Sequence, residues 1–186
     1  MRIIFIRHGK TAGNQEKRYI GRTDESLCHE GISELAVRNY PNCDAVICSP
    51  MKRCIETAKI IYPNIEPILC SSLKECDFGD FEGKTHIDLS GKEHNPAWID
   101  TGGTMQFPNG ETTQNFRNRC CEGFVQSVKL VNRSEIVAYV VHGGTIMAVL
   151  DRFSAPHMDY FDWQCENGSG FICQWNGTNL KILEKL

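Results

Sequence analysis

Four side chains suited to phosphoryl chemistry lie where predicted strands end and turns begin. Arg7 and His8 follow the apolar run IIFI near the N-terminus. Arg53 and His142 follow two further apolar runs. An imidazole can attack phosphorus or donate a hydrogen bond to a phosphoryl oxygen, and a guanidinium fork matches the paired oxygens of a phosphate. If the strand ends converge, these groups predict a site for a small anion, and phosphate suits it better than a single carboxylate.

Phosphoryl transfer to a histidine also needs a proton donor for the leaving alkoxide. The stretch LKECDFGDFEG offers four carboxyl groups. Glu75 is the candidate, because a carboxyl flanked by apolar residues and near other buried groups can keep a raised pKa and hold its proton near neutrality. Asp77, Asp80 and Glu82 are close alternatives, and spacing alone does not choose among the four.

Short apolar runs alternate with segments of helical period, which is the pattern of βαβ units and a mostly parallel sheet. Strands are predicted at Arg2 to Ile6, Asp44 to Cys48, Glu66 to Leu69 and Glu135 to Val141, followed by a hairpin of Phe171 to Trp175 and Asn179 to Leu183 with a primed turn at Asn176-Gly177. In open α/β sheets the carboxyl ends of neighbouring strands face one crevice, which favours an anion. We therefore expect the four chemical side chains in one crevice.

Apolar residues at helical spacing predict three long helices. The first contains Ile32, Leu35, Ala36 and Tyr40 and stops at Pro41, the second has Ser49 as N-cap and Pro50 as its first residue, and the third runs from Thr113 to Asn132. Arg53 lies in the first turn of the second helix, off its apolar stripe. The segment 71–111 is irregular, with two short helices expected around Ile87 and Ala97, and long polar segments of this kind often carry function.

Each candidate has an ordinary structural role as its alternative. A lone histidine at a strand end is more often a hydrogen-bonded structural residue than a nucleophile, so His8 alone is weak evidence. His142 could cap a helix, Arg53 could be a solvated helix residue, and Glu75 could be a surface carboxylate. The phosphate-site hypothesis depends on their joint occurrence at strand ends of one small α/β chain.

The length and composition of the chain limit the classes of protein it can be. A chain of 186 residues supports one well-buried core, which predicts a single domain over residues 1–186. The net charge of −3 offers no basic field for a nucleic acid or an acidic membrane, and no apolar run approaches a membrane span. Ten cysteines without a secretory signal or C-x-x-C spacing are expected to be small core residues of a cytoplasmic protein, with no zinc site.

The motifs, taken in order, resemble those of the histidine phosphatase superfamily, which includes phosphoglycerate mutases and related phosphatases. RHGKTAGN resembles the family's nucleophile signature, and LKECDFGDFEGK resembles its acid-bearing loop. Four further segments resemble motifs of the family and occur in the family's order along the chain: YIGRTDESL, CSPMKRCIETA, FPNGETTQNFRNR and VVHGG. The resemblance covers essentially the whole chain, and it implies a phosphoglycerate mutase-like fold, a three-layer α/β/α arrangement with a mostly parallel central sheet.

The resemblance also implies roles for individual residues. His8 is expected to be the phosphorylated nucleophile and Glu75 the proton donor, while Arg7, Arg53 and His142 hold the phosphoryl oxygens. Substrate-binding residues are expected at Asn14, Gly21, Arg22, Thr23 and Gly143. The resemblance implies no metal and no cofactor. The expected partner is a small phosphorylated metabolite, and the oligomeric state stays open, with a homodimer as one option.

A phosphatase and a mutase of this family differ in the fate of the phosphoenzyme. At 186 residues the chain lacks room for the added loops that mutases usually place over the pocket, which favours a phosphomonoesterase. The short length and the FGDFEG loop resemble bacterial α-ribazole phosphatases of cobalamin synthesis, while small sugar phosphates and phosphoglycerates are equally compatible. The alternatives are phosphoglycerate mutase-type transfer and a catalytically silent module that binds a phosphate ligand.

Overall fold

The computed structural model describes residues 1–89 and 106–186, which contain one six-stranded mixed sheet. The strands are β1 (Arg2–Arg7), β2 (Ala45–Cys48), β3 (Ile68–Leu69), β4 (Ile136–Val141), β5 (Gly170–Trp175) and β6 (Leu180–Lys185). Their order across the sheet is β3-β2-β4-β1-β5-β6. The pairings from β3 to β1 are parallel, and those of β5 with β1 and β6 are antiparallel. The predicted α/β fold with a mostly parallel central sheet is confirmed.

Six α-helices and three short 3₁₀ helices accompany the sheet in the described ranges. The α-helices are α1 (Ala12–Gln15), α2 (His29–Val37), α3 (Lys52–Ile61), α4 (His86–Leu89), α5 (Thr113–Leu130) and α6 (Gly143–Phe153). The 3₁₀ helices span Ser71–Leu73, Gly79–Phe81 and Tyr160–Trp163. The short helix expected around Ile87 is α4, whereas the one expected around Ala97 lies outside the described residues.

The two faces of the sheet carry two separate apolar clusters, as the alternation of side chains along a strand requires. Ile3 and Phe5 of β1 point to the face covered by α5 and α6, where Phe124 and Leu150 are fully buried. The intervening residues of β1 point to the opposite face, which α3 covers. α2 packs in turn against α3. The resulting three layers leave the carboxyl ends of β1, β2 and β4 together at one edge.

Two predicted helix boundaries are wrong. α3 begins at Lys52, with Met51 as an N-cap that makes no side-chain capping bond, so Ser49 and Pro50 lie before the helix. The hydroxyl of Ser49 bonds a histidine ring instead, because tertiary proximity offers it a partner there. α2 ends at Val37, and Tyr40 lies beyond it with its hydroxyl donating to the carbonyl of residue 168.

The C-terminal hairpin is confirmed, with its turn one residue later than predicted. Asn176 N donates to Asn179 O at 3.2 Å, which places Gly177 and Thr178 at the tip. Gly177 has a φ of 102°, and a primed turn requires a positive φ at this first central position. Asn176 therefore flanks the turn, where its side-chain oxygen accepts the backbone N–H of Thr178 at 2.9 Å.

All ten cysteines are free thiols, and seven of them are buried, in agreement with their expected role as small core residues. Burial raises the pKa of several, and that of Cys48 to about 12. Within residues 1–89 and 106–186, no helix combines the length and apolar character that a bilayer crossing needs.

Candidate active site

Two histidine rings meet at the edge where three parallel strands end. Arg7 pairs with Val141 across β1 and β4, so the next residue on each strand, His8 and His142, emerges side by side. The ring centroids lie 5.3 Å apart with an edge-on angle of 67°. His8 keeps 4% of its surface exposed and His142 none. The register of the sheet therefore brings together two residues that are 134 positions apart in sequence.

The tautomer of His8 follows from its backbone contact. Nδ1 lies 2.7 Å from the carbonyl oxygen of Gly9, which can only accept a hydrogen bond. Nδ1 therefore carries the proton, and Nε2 holds a free lone pair. Burial, followed by the charges of Arg53 and Arg7, lowers the pKa of His8 well below its usual value of 6.5. The ring is thus neutral at physiological pH, as a nitrogen nucleophile must be.

His142 is oriented by groups from the segment around the start of α3. Its Nε2 lies 2.8 Å from Ser49 Oγ and 3.5 Å from the Cys54 sulfur. Burial and the charges of Arg53 and His8 lower the pKa of His142 as well. The sequence predicts Ser49 as a helix cap and gives no sign of this contact with the second histidine.

Arg53 is fully buried, although its sequence position is off the apolar stripe of α3. Its Nη1 donates to the carbonyl of Thr23 at 2.8 Å and its Nη2 to that of Gly21 at 2.8 Å. Its Nε is buried and has no hydrogen-bond partner in the part of the chain that the structure describes. The loop that contains Gly21 and Thr23 thus fixes the guanidinium and leaves its Nε–H for another acceptor.

The same loop is held in turn by Glu82. Its Oε1 accepts the backbone N–H groups of Gly21 at 2.9 Å and Thr23 at 2.8 Å. Arg22 is exposed and lies 3.3 Å from a carboxylate oxygen of Asp77. Gly21 and Thr23 therefore contact the site through Arg53, while the side chain of Arg22 faces the surface. Substrate contacts of these three residues remain predictions.

Arg7 and Asn14 lie beside the histidines. Arg7 Nη1 donates to the carbonyl of Cys165 at 2.8 Å, and its buried Nε has no partner within residues 1–89 and 106–186. Asn167 Nδ2 bridges the carbonyl of His8 at 3.0 Å and Oδ1 of Asn14 at 3.1 Å. Arg7 and Asn14 also line a common cavity of about 240 Å³. Asn167 was not anticipated, because no local pattern links it to the N-terminal motif.

Glu75 is the carboxyl that the fold directs to the crevice. Its Oε1 accepts the N–H of Cys76 at 2.9 Å, and its Oε2 accepts the N–H of Gly144 at 3.1 Å. Burial raises its pKa above the usual 4.5, and the two backbone N–H groups partly oppose that shift. A Cβ on Gly144 would lie 2.3 Å from Glu75 Oε1, so this close approach requires glycine.

The three rival carboxyl groups have other contacts. Asp77 faces Arg22 and the backbone N–H of Gly79, the latter at 2.9 Å. Asp80 accepts a hydrogen bond from an asparagine side chain at 3.1 Å. Glu82 supports the loop that holds Arg53, as described above. Glu75 and Arg7, by contrast, line one cavity of about 370 Å³ together with Gly143.

Arg119 fixes the segment that carries Glu75. Its Nη1 donates to the carbonyls of Ser72 at 2.9 Å and Lys74 at 3.0 Å, and its Nη2 donates to Glu111 Oε2 at 2.7 Å. Charge-assisted bonds of this kind hold an irregular backbone in one geometry. Sequence spacing does not predict the contacts with the two carbonyls, since Arg119 belongs to α5 and these carbonyls lie more than forty residues earlier.

Among the residues that the structure describes, no three His, Cys, Asp or Glu side chains converge as metal ligands do.

Residues 3–185 match the model of the histidine phosphatase superfamily, branch 1. The chain belongs to this superfamily. Histidine phosphatases of this kind include phosphatases and phosphoglycerate mutases, and the chain is an enzyme of that general type.

Individual relatives are similar to this histidine phosphatase over most of its length. An acid phosphatase of Mycobacterium tuberculosis is 28% identical over 158 residues, which are 82% of this chain and 75% of that protein. The crystal structure of the α-ribazole phosphatase from Shigella flexneri superposes with a TM-score of 0.85 at 24% identity, covering 100% of this chain and 96% of the other. A phosphoglycerate mutase structure from Thermus thermophilus gives a TM-score of 0.78 at 24% identity, covering 100% of this chain and 98% of the other. At these identities the two structures establish the shared fold.

Proposed function

We propose that this histidine phosphatase is a phosphomonoesterase that hydrolyses a small phosphorylated metabolite through a phosphohistidine at His8. One observation supports it most directly. The neutral His8 ring lies among Arg7 and Arg53, whose buried Nε–H groups have no acceptor within the described residues. Buried donors of this kind normally have partners, and the oxygens of a phosphoryl group would supply them.

In the first step, His8 Nε2 attacks phosphorus and forms a P–N bond while the ester P–O bond breaks. Arg7, Arg53 and His142 stabilise the charge on the phosphoryl oxygens. The departing alkoxide takes its proton from Glu75, whose pKa burial raises above its usual value, which favours the protonated form. The Gly144 N–H keeps the carboxyl of Glu75 in position for this transfer.

In the second step, water attacks the phosphohistidine and Glu75 accepts its proton. The P–N bond breaks, inorganic phosphate leaves, and His8 and the protonated Glu75 are regenerated. All charge stabilisation in this scheme comes from protein groups. The proposed partner is a small metabolite, because the net charge of −3 provides no basic field for a polyanion. The proposed location is the cytoplasm.

Candidate substrates are α-ribazole 5′-phosphate and small phosphate esters such as phosphoglycerates. The α-ribazole phosphatase with a related structure and the short FGDFEG loop favour the former. The related acid phosphatase favours hydrolysis over mutase-type transfer.

Release of phosphate from a panel of metabolite esters tests the proposal. His8→Ala is expected to abolish turnover and to prevent trapping of an acid-labile phosphoenzyme. His157→Ala provides a matched control, since this exposed histidine lies 3.9 Å from Asp159 and does not line the cavity of Arg7 and Glu75. Turnover by the His8→Ala variant would contradict the proposal, as would transfer to a second phosphoglycerate in place of hydrolysis.

A further inference from the structure

The cavity that contains Arg7, Glu75 and Gly143 has a second, chemically different part. Half of the residues in its remaining lining are aromatic. We call this set the aromatic wall: Tyr19, Phe78, Phe107, Phe116, Tyr160 and Phe161. The whole cavity measures about 370 Å³, which exceeds what a phosphoryl group alone occupies and lies in the range of small-molecule pockets. The alcohol part of a substrate would therefore contact the aromatic wall.

The aromatic wall is packed in a fixed arrangement. Phe78 meets Phe107 edge-on, with ring centroids 5.0 Å apart, and meets Tyr19 at 5.4 Å. The guanidinium of Arg117 lies 3.8 Å above the ring centre of Tyr160, a favourable cation–π contact. A ligand that binds such a preorganised surface loses little binding energy to the ordering of side chains.

One member of the wall is unusually exposed for its type. Phe161 keeps 48% of its surface accessible, and its ring lies edge-on to Tyr160 at 5.1 Å. A large aromatic ring at the rim of a cavity gains from being covered by an apolar ligand.

Charge around the cavity points to the same ligand chemistry. Among the described residues that line it, only Arg7 and Glu75 carry charged side chains. The proposed function assigns Arg7 to the phosphoryl oxygens and Glu75 to proton transfer at the leaving oxygen. A carboxylate or second phosphate on the substrate would meet aromatic faces with no cation among those residues. Desolvating an anion without a partner is strongly unfavourable, so substrates with a second anionic group are disfavoured.

We propose that the aromatic wall selects phosphomonoesters whose alcohol part carries an aromatic ring and no second anionic group. This inference rests on the proposed phosphatase function and specifies its substrate class. It ranks aromatic esters above phosphoglycerates, which the reacting groups alone do not separate.

The test compares 2-phenylethyl phosphate with 3-phosphoglycerate. Both release a primary alkoxide, so they make similar demands on Glu75. The kcat/KM of the full chain is expected to be at least about 30-fold higher for 2-phenylethyl phosphate, since burial of one aromatic ring alone is worth about 10- to 100-fold. Calorimetric titration with 2-phenylethylphosphonate and 3-phosphonopropionate measures the same preference without turnover.

Variants at Phe161 separate the aromatic wall from the phosphoryl site. Phe161→Ala is expected to lower the preference ratio about fivefold, since the ring is only half buried. Phe161→Arg is expected to lower it further by raising kcat/KM for 3-phosphoglycerate. Val37→Ala is the control: this apolar side chain on α2 is 82% exposed, does not line the cavity, and should leave the ratio unchanged.

Each outcome has a defined meaning. Turnover with a ratio near one or below, or a ratio that neither Phe161 variant changes, would overturn the inference and leave the phosphatase function intact. Failure to hydrolyse any ester, with tighter binding of the aromatic phosphonate, would overturn the phosphatase function alone. Failure of both turnover and binding preference would overturn both.

Discussion

Replacing Gly144 by alanine tests whether Glu75 must keep its observed position for catalysis. The added Cβ would lie 2.3 Å from Glu75 Oε1 and 2.9 Å from Phe116 Cζ. Phe116 is buried and has little freedom to move aside. The carboxyl must therefore retreat by about 1 Å, and a displacement of this size in a reacting group costs roughly 10²-fold in rate. That factor corresponds to about 2.7 kcal/mol of transition-state stabilisation.

The assay compares kcat for ethyl phosphate and 4-nitrophenyl phosphate. An alkoxide needs a proton as it leaves, whereas 4-nitrophenolate departs with little assistance. Gly144→Ala is therefore expected to lower kcat about 10²-fold for ethyl phosphate and less than about fivefold for 4-nitrophenyl phosphate. Gly143→Ala is the comparison variant, since its Cβ would lie at an ordinary contact distance of 3.4 Å from Arg7 Nε. Its kcat should fall by less than about tenfold for either ester.

Equal losses of Gly144→Ala on the two esters would refute the assignment of Glu75 as the proton donor. A larger loss for Gly143→Ala than for Gly144→Ala would refute the steric reasoning. Circular dichroism at increasing temperature checks that both variants remain folded, so that the kinetic comparison reports on the site.

Three further outcomes are expected. The kcat/KM of the wild-type chain should fall on the acid side only well below pH 6.5, because burial lowers the pKa of His8. Glu75→Gln should remove the fall at alkaline pH, which reports loss of the Glu75 proton. An unchanged alkaline fall in this variant would contradict the role of Glu75 as the acid. Ser49→Ala should lower kcat roughly tenfold by removing the oxygen partner of His142, with KM little affected; unchanged steady-state kinetics would argue against that contact. Arg119→Ala should reduce the free energy of unfolding by about 2–4 kcal/mol in urea titrations, since the carbonyls of Ser72 and Lys74 lose a charged donor. An unaltered urea midpoint would contradict the role of Arg119 in holding the segment that carries Glu75.

The sheet could be predicted from sequence because its signals are local. Strand β4 is predicted to begin at Glu135 and begins at Ile136. It could be predicted because a run of apolar and β-branched residues is typical of a buried parallel strand. Helix α5 was expected to begin at Thr113 and does so, with the Thr112 side chain accepting the N–H of Asn115 as its cap. Each of these elements depends on residues that are close in the chain.

The errors occurred where a distant segment competes with a local preference. Ser49 followed by Pro50 is a good helix start by residue type, yet the hydroxyl of Ser49 bonds His142 and α3 begins later. Arg53 could equally have been a solvated helix residue, and the structure buries it completely against backbone carbonyls. Local propensity contains no information about either partner.

The sequence by itself determined the chemical inventory and its placement at strand ends: two histidines, two arginines and a carboxyl-rich loop. It also determined which strands are buried, because alternating and β-branched patterns depend on neighbouring residues alone. The tertiary structure decided that Glu75, among four nearby carboxyl groups, faces the crevice through the N–H of Gly144. It also decided that Asn167 bridges His8 to Asn14. Contacts of this kind join segments far apart in the chain, and only packing of the complete sheet and its helices brings them within hydrogen-bonding distance.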